Sequence, residues 1–296
     1  MSKLTEMSYK FYTTMKGDDK IENIKLNIQK EVADELAVTP NRNLDDEISK
    51  RVDFIKRQLT ESGLKTLVLG VSGGVDSLTA GLLCQKAVNE LNENGVKYQF
   101  VAVKLPYKVQ KDADFVELSL KTIKPNKIDS FNLGESVDAV RSGFENTFNN
   151  NNQTDAQKDF IIGNVKARMR MIAQYALAGM YNGLVVGTDH ASEAVSGFFT
   201  KFGDGAFDFS PLSGLVKSEV VAIAKKLGAP DILCYKVPTA DLEDLAVNKP
   251  DEDALGVSYA DIDNYLLGKP VSNKVFEIIT ERYNKTEHKR QLPRTV

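Results

Sequence analysis

The sequence predicts an α/β protein built on an open, mostly parallel, doubly wound sheet of Rossmann-like type, with helical extensions. Three observations carry this prediction. Short apolar runs alternate with longer segments of helical period along the chain. The run at Lys65–Val71 is without a polar side chain after Thr66, as expected of a strand covered on both faces. A Gly-Gly turn then joins it directly to a helix, which is the grammar of a parallel crossover.

The elements follow in order. Residues 1–20 lack a clear period and read as a loose lead-in. Ile21–Leu36 repeats apolar residues at helical spacing, and a second helix begins at Leu44 after Pro40 and Asn43 and stops at Gly63. After the first strand, a helix is expected over Asp76–Asn94 and a second strand over Tyr98–Val103. Asp112–Lys121 reads as helix, Lys127–Asn132 as a third strand and Asp155–Tyr181 as a long helix. Gly183–Gly187 is the fourth strand, and helices follow at Lys217–Leu227 and Val275–Tyr283. The stretch Phe144–Thr154, with its asparagine run, reads as a surface loop. No linker divides the chain, so residues 1–40 are expected as an N-terminal helical extension and 41–296 as a single domain.

Composition narrows the classes. With 296 residues, 42% hydrophobic, the chain can bury a substantial core. A net charge of −3 argues against a dedicated nucleic-acid binder. Two cysteines, Cys84 and Cys234, cannot build a disulfide framework or a cysteine-rich zinc site. No apolar run nears the ~18 residues of a membrane span, and Met1–Lys10 has no signal-peptide core. The expectation is a soluble protein of a reducing compartment, the cytoplasm.

The strongest local signal is Gly70-Val71-Ser72-Gly73-Gly74-Val75-Asp76-Ser77. It sits between a buried strand and a helix start, where backbone N–H groups and the helix dipole favour an anion. Gly73 and Gly74 let backbone approach phosphate oxygens, and Ser72 and Ser77 add hydroxyls. Asp76 would repel phosphate directly and makes sense with Mg²⁺ between them. A loop lysine is absent, which excludes a Walker A loop, and the dinucleotide G-x-G-x-x-G spacing is absent too. The plainer reading of the segment is an ordinary capped turn.

SGGVDS resembles the pyrophosphate loop of the N-type ATP pyrophosphatases, which adenylate a substrate oxygen and release pyrophosphate. Further segments narrow the resemblance: Gly187–Glu193 (GTDHASE), Gly197–Gly205 (GFFTKFGDG), Pro238–Asp244, Pro250–Lys269 and Lys285–Arg290. In this order they look like the ammonia-dependent NAD synthetases from about residue 44 onward. The resemblance implies ATP, deamido-NAD and ammonia as substrates, Mg²⁺ as cofactor, and a homodimer.

Residue by residue, Asp76 and Glu193 match the family's Mg²⁺ carboxylates, with helix cap and solvent-exposed acid as their plainer readings. The loop residues Gly70–Ser77, with Thr188, Lys217 and Thr239, match ATP contacts. Lys217 would neutralise charge on leaving pyrophosphate. Arg168, Lys201, Asp208, His288 and Lys289 match contacts to deamido-NAD. A surface ion pair is the plainer reading of Arg168, and a solvated basic tail that of His288 and Lys289. Asp204 and Asp208 are candidates to take a proton from ammonium, and Asp204 is assigned that catalytic role.

The chain departs from the family at Lys104-Leu-Pro-Tyr-Lys108-Val-Gln110, where Lys104 stands in place of arginine and Lys108 in place of a glycine suited to positive φ. Lys104 and Gln110 remain the expected ATP contacts there. Cys84 and Cys234 lack the setting of an amidase nucleophile, so free ammonia is the expected donor. The rivals are an ATP-using enzyme that adenylates another substrate, such as a tRNA-thiolating enzyme, and a nucleotide sensor without turnover.

Overall fold

The computed structural model describes residues 18–296, apart from 94, 110, 111, 239–241, 243, 246–249, 294 and 296. Helices α1 (Asp18–Glu35) and α2 (Leu44–Ser62) come first. Asn43 opens α2 by accepting hydrogen bonds from the Asp45 and Asp46 amides, and Gly63 closes it at φ 71°. There follow β1 (Thr66–Gly70), α3 (Val75–Asn92), β2 (Gln99–Lys104), α4 (Ala113–Ile123) and β3 (Lys127–Ser130). Next come α5 (Gly134–Gly143), α6 (Glu145–Asn150), α7 (Asp155–Tyr181), β4 (Gly183–Val185) and α8 (Ala191–Ser196). The chain ends with α9 (Lys217–Lys226), α10 (Asp231–Cys234), α11 (Asp251–Leu255), α12 (Tyr259–Leu266), α13 (Asn273–Lys285) and α14 (Glu287–Arg290).

All four strands pair in parallel in the order β3-β2-β1-β4. Strand alternation sorts the side chains between two layers. Leu67, Leu69, Phe100 and Ala102 face a cluster shared with α2, α3, α4 and α9. Val68, Val101, Val103 and Val185 face Ala173 and Ala178 of α7 on the other side. The sheet is therefore doubly wound, as expected. Strand order reverses at β1, between β2 on one flank and β4 on the other, so the carboxyl ends of β1 and β4 open a crevice. Ligands bind at such a switch point in open α/β sheets.

A second apolar cluster joins Ile28 and Val32 of α1 to Ile262 and Tyr265 of α12, Phe276 and Ile279 of α13, and Val195 of α8. The Gln29 amide donates to the carbonyls of Tyr265 and Lys269 at 2.9 and 3.0 Å. Helix α1 thus belongs to the same packed body as the C-terminal helices.

The asparagine-rich stretch is not the loop the sequence predicts. Residues Glu145–Asn150 form α6, because Phe148 buries against Leu133, Val137 and Ile162 and overrides the poor helix propensity of asparagine. The expected third and fourth strands are each shorter than read. Val186, past the end of β4, still donates its amide to Val68 O at 2.9 Å and makes an isolated parallel bridge to Phe209. Cys84 and Cys234 are both buried and unpaired. No helix among the described residues is long and apolar enough to cross a membrane.

Candidate active site

The loop after β1 is shaped by its own short side chains. The Val71 amide donates to Val103 O at 2.9 Å, carrying the ladder one residue past the strand. Gly73 then turns at φ 82°, where a Cβ would stand 3.0 Å from the Val116 amide nitrogen. Only glycine suits that position. The Ser72 amide donates to the Ser77 hydroxyl at 3.2 Å, and that hydroxyl donates to Gly74 O at 3.1 Å. Gly74 is the extended N-cap of α3 and no side chain caps it. The first amides of an 18-residue helix therefore face the crevice as an anion seat.

Across the crevice, α9 presents its own N-terminus, and its first residue reaches the first turn of α3. Lys217 Nζ lies 2.8 and 2.7 Å from the two oxygens of Asp76. Lys217 is 6% exposed, and its ammonium lies 4.9 Å from the centre of the Tyr259 ring. Its backbone is fixed by Asp263 of α12. That carboxylate accepts from the Lys217 amide at 3.0 Å, the Ser218 amide at 2.8 Å and the Ser192 hydroxyl at 2.9 Å. One buried carboxylate thereby caps α9 and ties α8 to it.

The third contributor is the turn after β4. Gly187 is required there, since a Cβ would stand 2.2 Å from the Phe207 ring. His190 is the extended N-cap of α8, and Glu193 sits in its first turn. His190 Nε2 is 3.4 Å from Asp76 Oδ1 and 3.7 Å from Glu193 Oε2. Asp76, His190 and Glu193 each place one donor atom within 4.8 Å of the other two, a grouping that could hold a metal ion.

The electrostatics favour a cation here. Burial opposes ionisation of Asp76, but Lys217 and His190 outweigh it and hold the carboxyl below its ordinary range. Lys217 is held above its ordinary range, because Asp76 and Glu193 overcome the desolvation that opposes its charge. Glu193 is pushed well up, first by burial and then by Asp76 and Asp189. Asp189 is pushed up to about 7 by burial and the neighbouring Asp204. Burial lowers His190, against the opposing pull of Asp76. Several carboxylates thus crowd one lysine, and an incoming polyphosphate would add more negative charge. A divalent ion held by Asp76 and Glu193 would relieve that crowding.

Most of the residues singled out in the sequence converge. Gly70, Val71, Ser72, Gly74, Val75, Asp76, Ser77, Thr188, Glu193, Asp204, Lys217 and Lys289 line one cavity of about 470 Å³. Gly73 lies within the same loop but turns its backbone toward α4. Lys104 points elsewhere, to Glu117 at 3.0 Å. Lys108 adopts φ 54°, so it keeps the left-handed turn expected of the glycine it replaces. Arg168 donates to Lys201 O at 3.2 Å, and Lys201 in turn to His288 O, a chain outside the cavity lining. Asp208 accepts from the Val185 amide at 2.6 Å and the Tyr175 hydroxyl at 3.4 Å, bracing the short strand β4. Gln110 and Thr239 lie outside the described residues.

Sequence reasoning missed Asn164, Arg170, Gln174 and Lys236 in the lining and Asp263 behind it. The Gln174 side chain accepts from the Gly70 amide at 2.7 Å. Its place on α7 gives no local signal, because only the crossover packing brings it to the loop.

A switch-point crevice, a glycine-turned phosphate loop and a lysine–carboxylate cluster define a nucleotide-binding α/β protein built to hold polyphosphate. A family model described as NAD synthase matches residues 47–293. An NH(3)-dependent NAD(+) synthetase of Pseudomonas syringae pv. syringae is 54% identical over 272 residues, spanning 90% of this chain and 98% of the relative. The solved NAD+ synthetase of Burkholderia pseudomallei superposes with a TM-score of 0.78 at 42% identity, covering 91% of this chain and 98% of that one. The solved NMN synthetase of Francisella tularensis gives 0.75 at 32% identity, covering 86% and 99%. The chain belongs to the NAD synthase family.

Proposed function

We propose that the chain is an ammonia-dependent NAD(+) synthetase, a ligase that forms a C–N bond. The observation that carries this reading is the meeting of Asp76, Lys217 and Glu193 beside the SGGVDS loop, in a chain 54% identical to a relative of that name. ATP places its β- and γ-phosphates on the α3 N-terminus. An oxygen of the nicotinate carboxylate of deamido-NAD attacks the α-phosphorus, and the bond to pyrophosphate breaks. Ammonia then attacks the activated carbonyl carbon, and AMP leaves with the former carboxylate oxygen, giving NAD.

The protein's part is to position two polyanions and neutralise their repulsion. Lys217, now paired with Asp76, is within reach of the loop and offsets charge on the departing pyrophosphate. Mg²⁺ held by Asp76 and Glu193 would supply charge neutralisation of the phosphates and polarise the α-phosphorus. Asp204 lies in the cavity wall with one oxygen bonded to the Thr200 amide at 2.8 Å, and we assign it the proton from ammonium. Arg168, Lys201, Asp208, His288 and Lys289 are assigned to deamido-NAD. We read the protein as a cytoplasmic homodimer. Ile172 and Met180 of α7, 51% and 73% exposed, offer apolar surface for the pairing.

Product analysis tests the reading. With ATP, Mg²⁺, deamido-NAD and an ammonium salt, NAD and AMP are expected in equal amounts and only when all components are present. Nicotinate mononucleotide is run alongside, because the Francisella relative is named for NMN synthesis. AMP formed only with that acceptor would reassign the substrate, and no AMP with either would overturn the ligase reading.

A further inference from the structure

We infer that Lys166 and Asp159 of α7 are positioning residues for the acceptor-substrate end of the cavity. Together they clasp the turn carrying Leu242, Asp244 and Leu245, and so hold Leu242 in the cavity wall. The inference rests on the reading above, in which the phosphates of ATP sit on the α3 N-terminus. It gives a role to two buried charges that lie outside both the phosphate loop and the Asp76–Lys217 cluster.

The clasp begins with spacing along α7. Asp159, Gly163 and Lys166 recur at i, i+4 and i+7, so they form one stripe on the helix. Asp159 is 8% exposed, and its two oxygens accept from the amides of Asp244 at 2.8 Å and Leu245 at 2.7 Å. Lys166 is 2% exposed and donates to Leu242 O at 2.8 Å and to Asp244 Oδ1 at 2.6 Å. Its ammonium also lies 4.3 Å from the centre of the Tyr107 ring. Between the two charges, Gly163 leaves room for the turn, since a Cβ there would stand 3.2 Å from Leu242 O. From α5, Arg141 donates to the other oxygen of Asp244 at 2.8 Å.

Three side chains thus hold two amides, a carbonyl and a carboxylate of a single turn. Connecting segments at a surface ordinarily leave such groups to water. Lysine and aspartate are almost never fully buried unless paired, so the turn and the two charges require each other. Their place along α7 says which substrate they serve. Gln174 accepts from the Gly70 amide at the head of the phosphate loop. Gly163 lies about three turns back from Gln174, or about 16 Å along the helix axis. Leu242 lines the cavity together with Gly163 and Asn164, at the end remote from the phosphates. Arg168, assigned above to deamido-NAD, stands on the same stretch of α7. The competing role for the clasp is stability alone. A purely structural clasp, when broken, weakens both substrates alike or neither, whereas a wall at the acceptor-substrate end weakens one.

The test uses the full chain. In hydrogen exchange of the wild type, the amides of Asp244 and Leu245 are expected to be protected, and Lys166→Met should release them while β1 and β2 stay protected. In the same variant KM for deamido-NAD should rise at least about tenfold, because small misplacements of a substrate wall are costly. Kd for a non-hydrolysable ATP analogue should be unchanged. Asp244→Asn alters a side chain that is 43% exposed and keeps the bond from Lys166 to Leu242 O. It should give the same split at smaller size, so the test survives a Lys166→Met chain that does not fold. Turn amides that exchange as freely as unprotected backbone in the wild type overturn the clasp. Released amides with both constants unchanged, or with both raised alike, overturn the positioning role and leave the ligase reading standing. A wild type that forms no AMP with deamido-NAD overturns the two together.

Discussion

Asp263 is the residue whose removal separates positioning of the site from its chemistry. It lies 46 residues beyond Lys217, is 6% exposed, and does not itself line the cavity. Replacing it with alanine removes the acceptor for the Lys217 and Ser218 amides and the Ser192 hydroxyl. The Lys217 amide keeps a second partner in Ser192 Oγ at 3.0 Å, so the Ser218 amide is the donor most fully stranded. Loss of a helix cap costs about 0.5–2 kcal/mol and a stranded buried donor about 1–3 kcal/mol. A total of roughly 1.5–5 kcal/mol follows, which for a chain of this size lowers Tm by about 3–15 °C. Freed from its cap, the first turn of α9 shifts and takes the Lys217 ammonium with it. Misplacement by about 1 Å costs on the order of a hundredfold in rate. The assays are thermal unfolding and AMP formation well below Tm, with Asp263→Asn as an intermediate case retaining one carbonyl acceptor. An alanine variant that unfolds early yet turns over at the wild-type rate in the cold refutes the positioning role. Wild-type Tm and rate together refute the cap itself.

Three further outcomes follow from the same geometry. Lys217→Gln should lower the rate of AMP formation by about 10²–10³ while leaving the fold intact, measured by steady-state kinetics with saturating ATP. Asp204→Asn should lose about 10²-fold at limiting ammonium and less when ammonia is supplied at high pH, since a carboxylate that takes the ammonium proton is bypassed by free base. Equal loss at both pH values would remove Asp204 from proton transfer. Asp189 holds its proton up to about 7 in the folded state against 3.8 as a free side chain. The native state therefore binds more protons than the unfolded one between those values, and stability falls as pH rises through that window. In metal-free protein, Asp189→Asn should match wild type near pH 4 and exceed it at pH 8. With solvent screening the gain is about 1–2 kcal/mol, read as a Tm difference that grows with pH.

The fold was legible where one segment decides its own state. The apolar run at Thr66–Gly70 can only be a covered strand, and the Asp155–Tyr181 helix has both its start and its end where the pattern puts them. Thr154 with Gln157 closes a capping box there, and Asn182 ends the helix in the left-handed conformation. What escaped depends on partners distant in sequence. Helix α6 exists because Phe148 finds Val137 and Ile162, and no local rule turns an asparagine run into a helix. Strand order is of the same kind. Nothing in Gly183–Val185 says that it pairs with β1 rather than β3, yet that choice makes the switch point.

The site divides along the same line. The glycine turn, Asp76 and Glu193 are legible because phosphate and metal chemistry demand those residue types at close spacing. Lys217 is legible in part: a lysine at a helix start opposes the dipole, and the structure answers it with Asp76 from another helix. Lys104 and Asp208 go the other way. Lys104 departs from its motif and Asp208 matches one, and in the structure Glu117 and the Val185 amide engage them. A motif fixes which chemistry a residue can do, whereas packing fixes whether it faces the ligand. His190 and Asp263 are the converse, residues with no assigned chemistry that the fold brings against Asp76 and Lys217. The division follows from physics, because a phosphate seat is built from consecutive amides while a metal set or a buried cap is built across helices. Variants at Asp263 and Lys166 therefore probe the part of this site that tertiary structure alone creates.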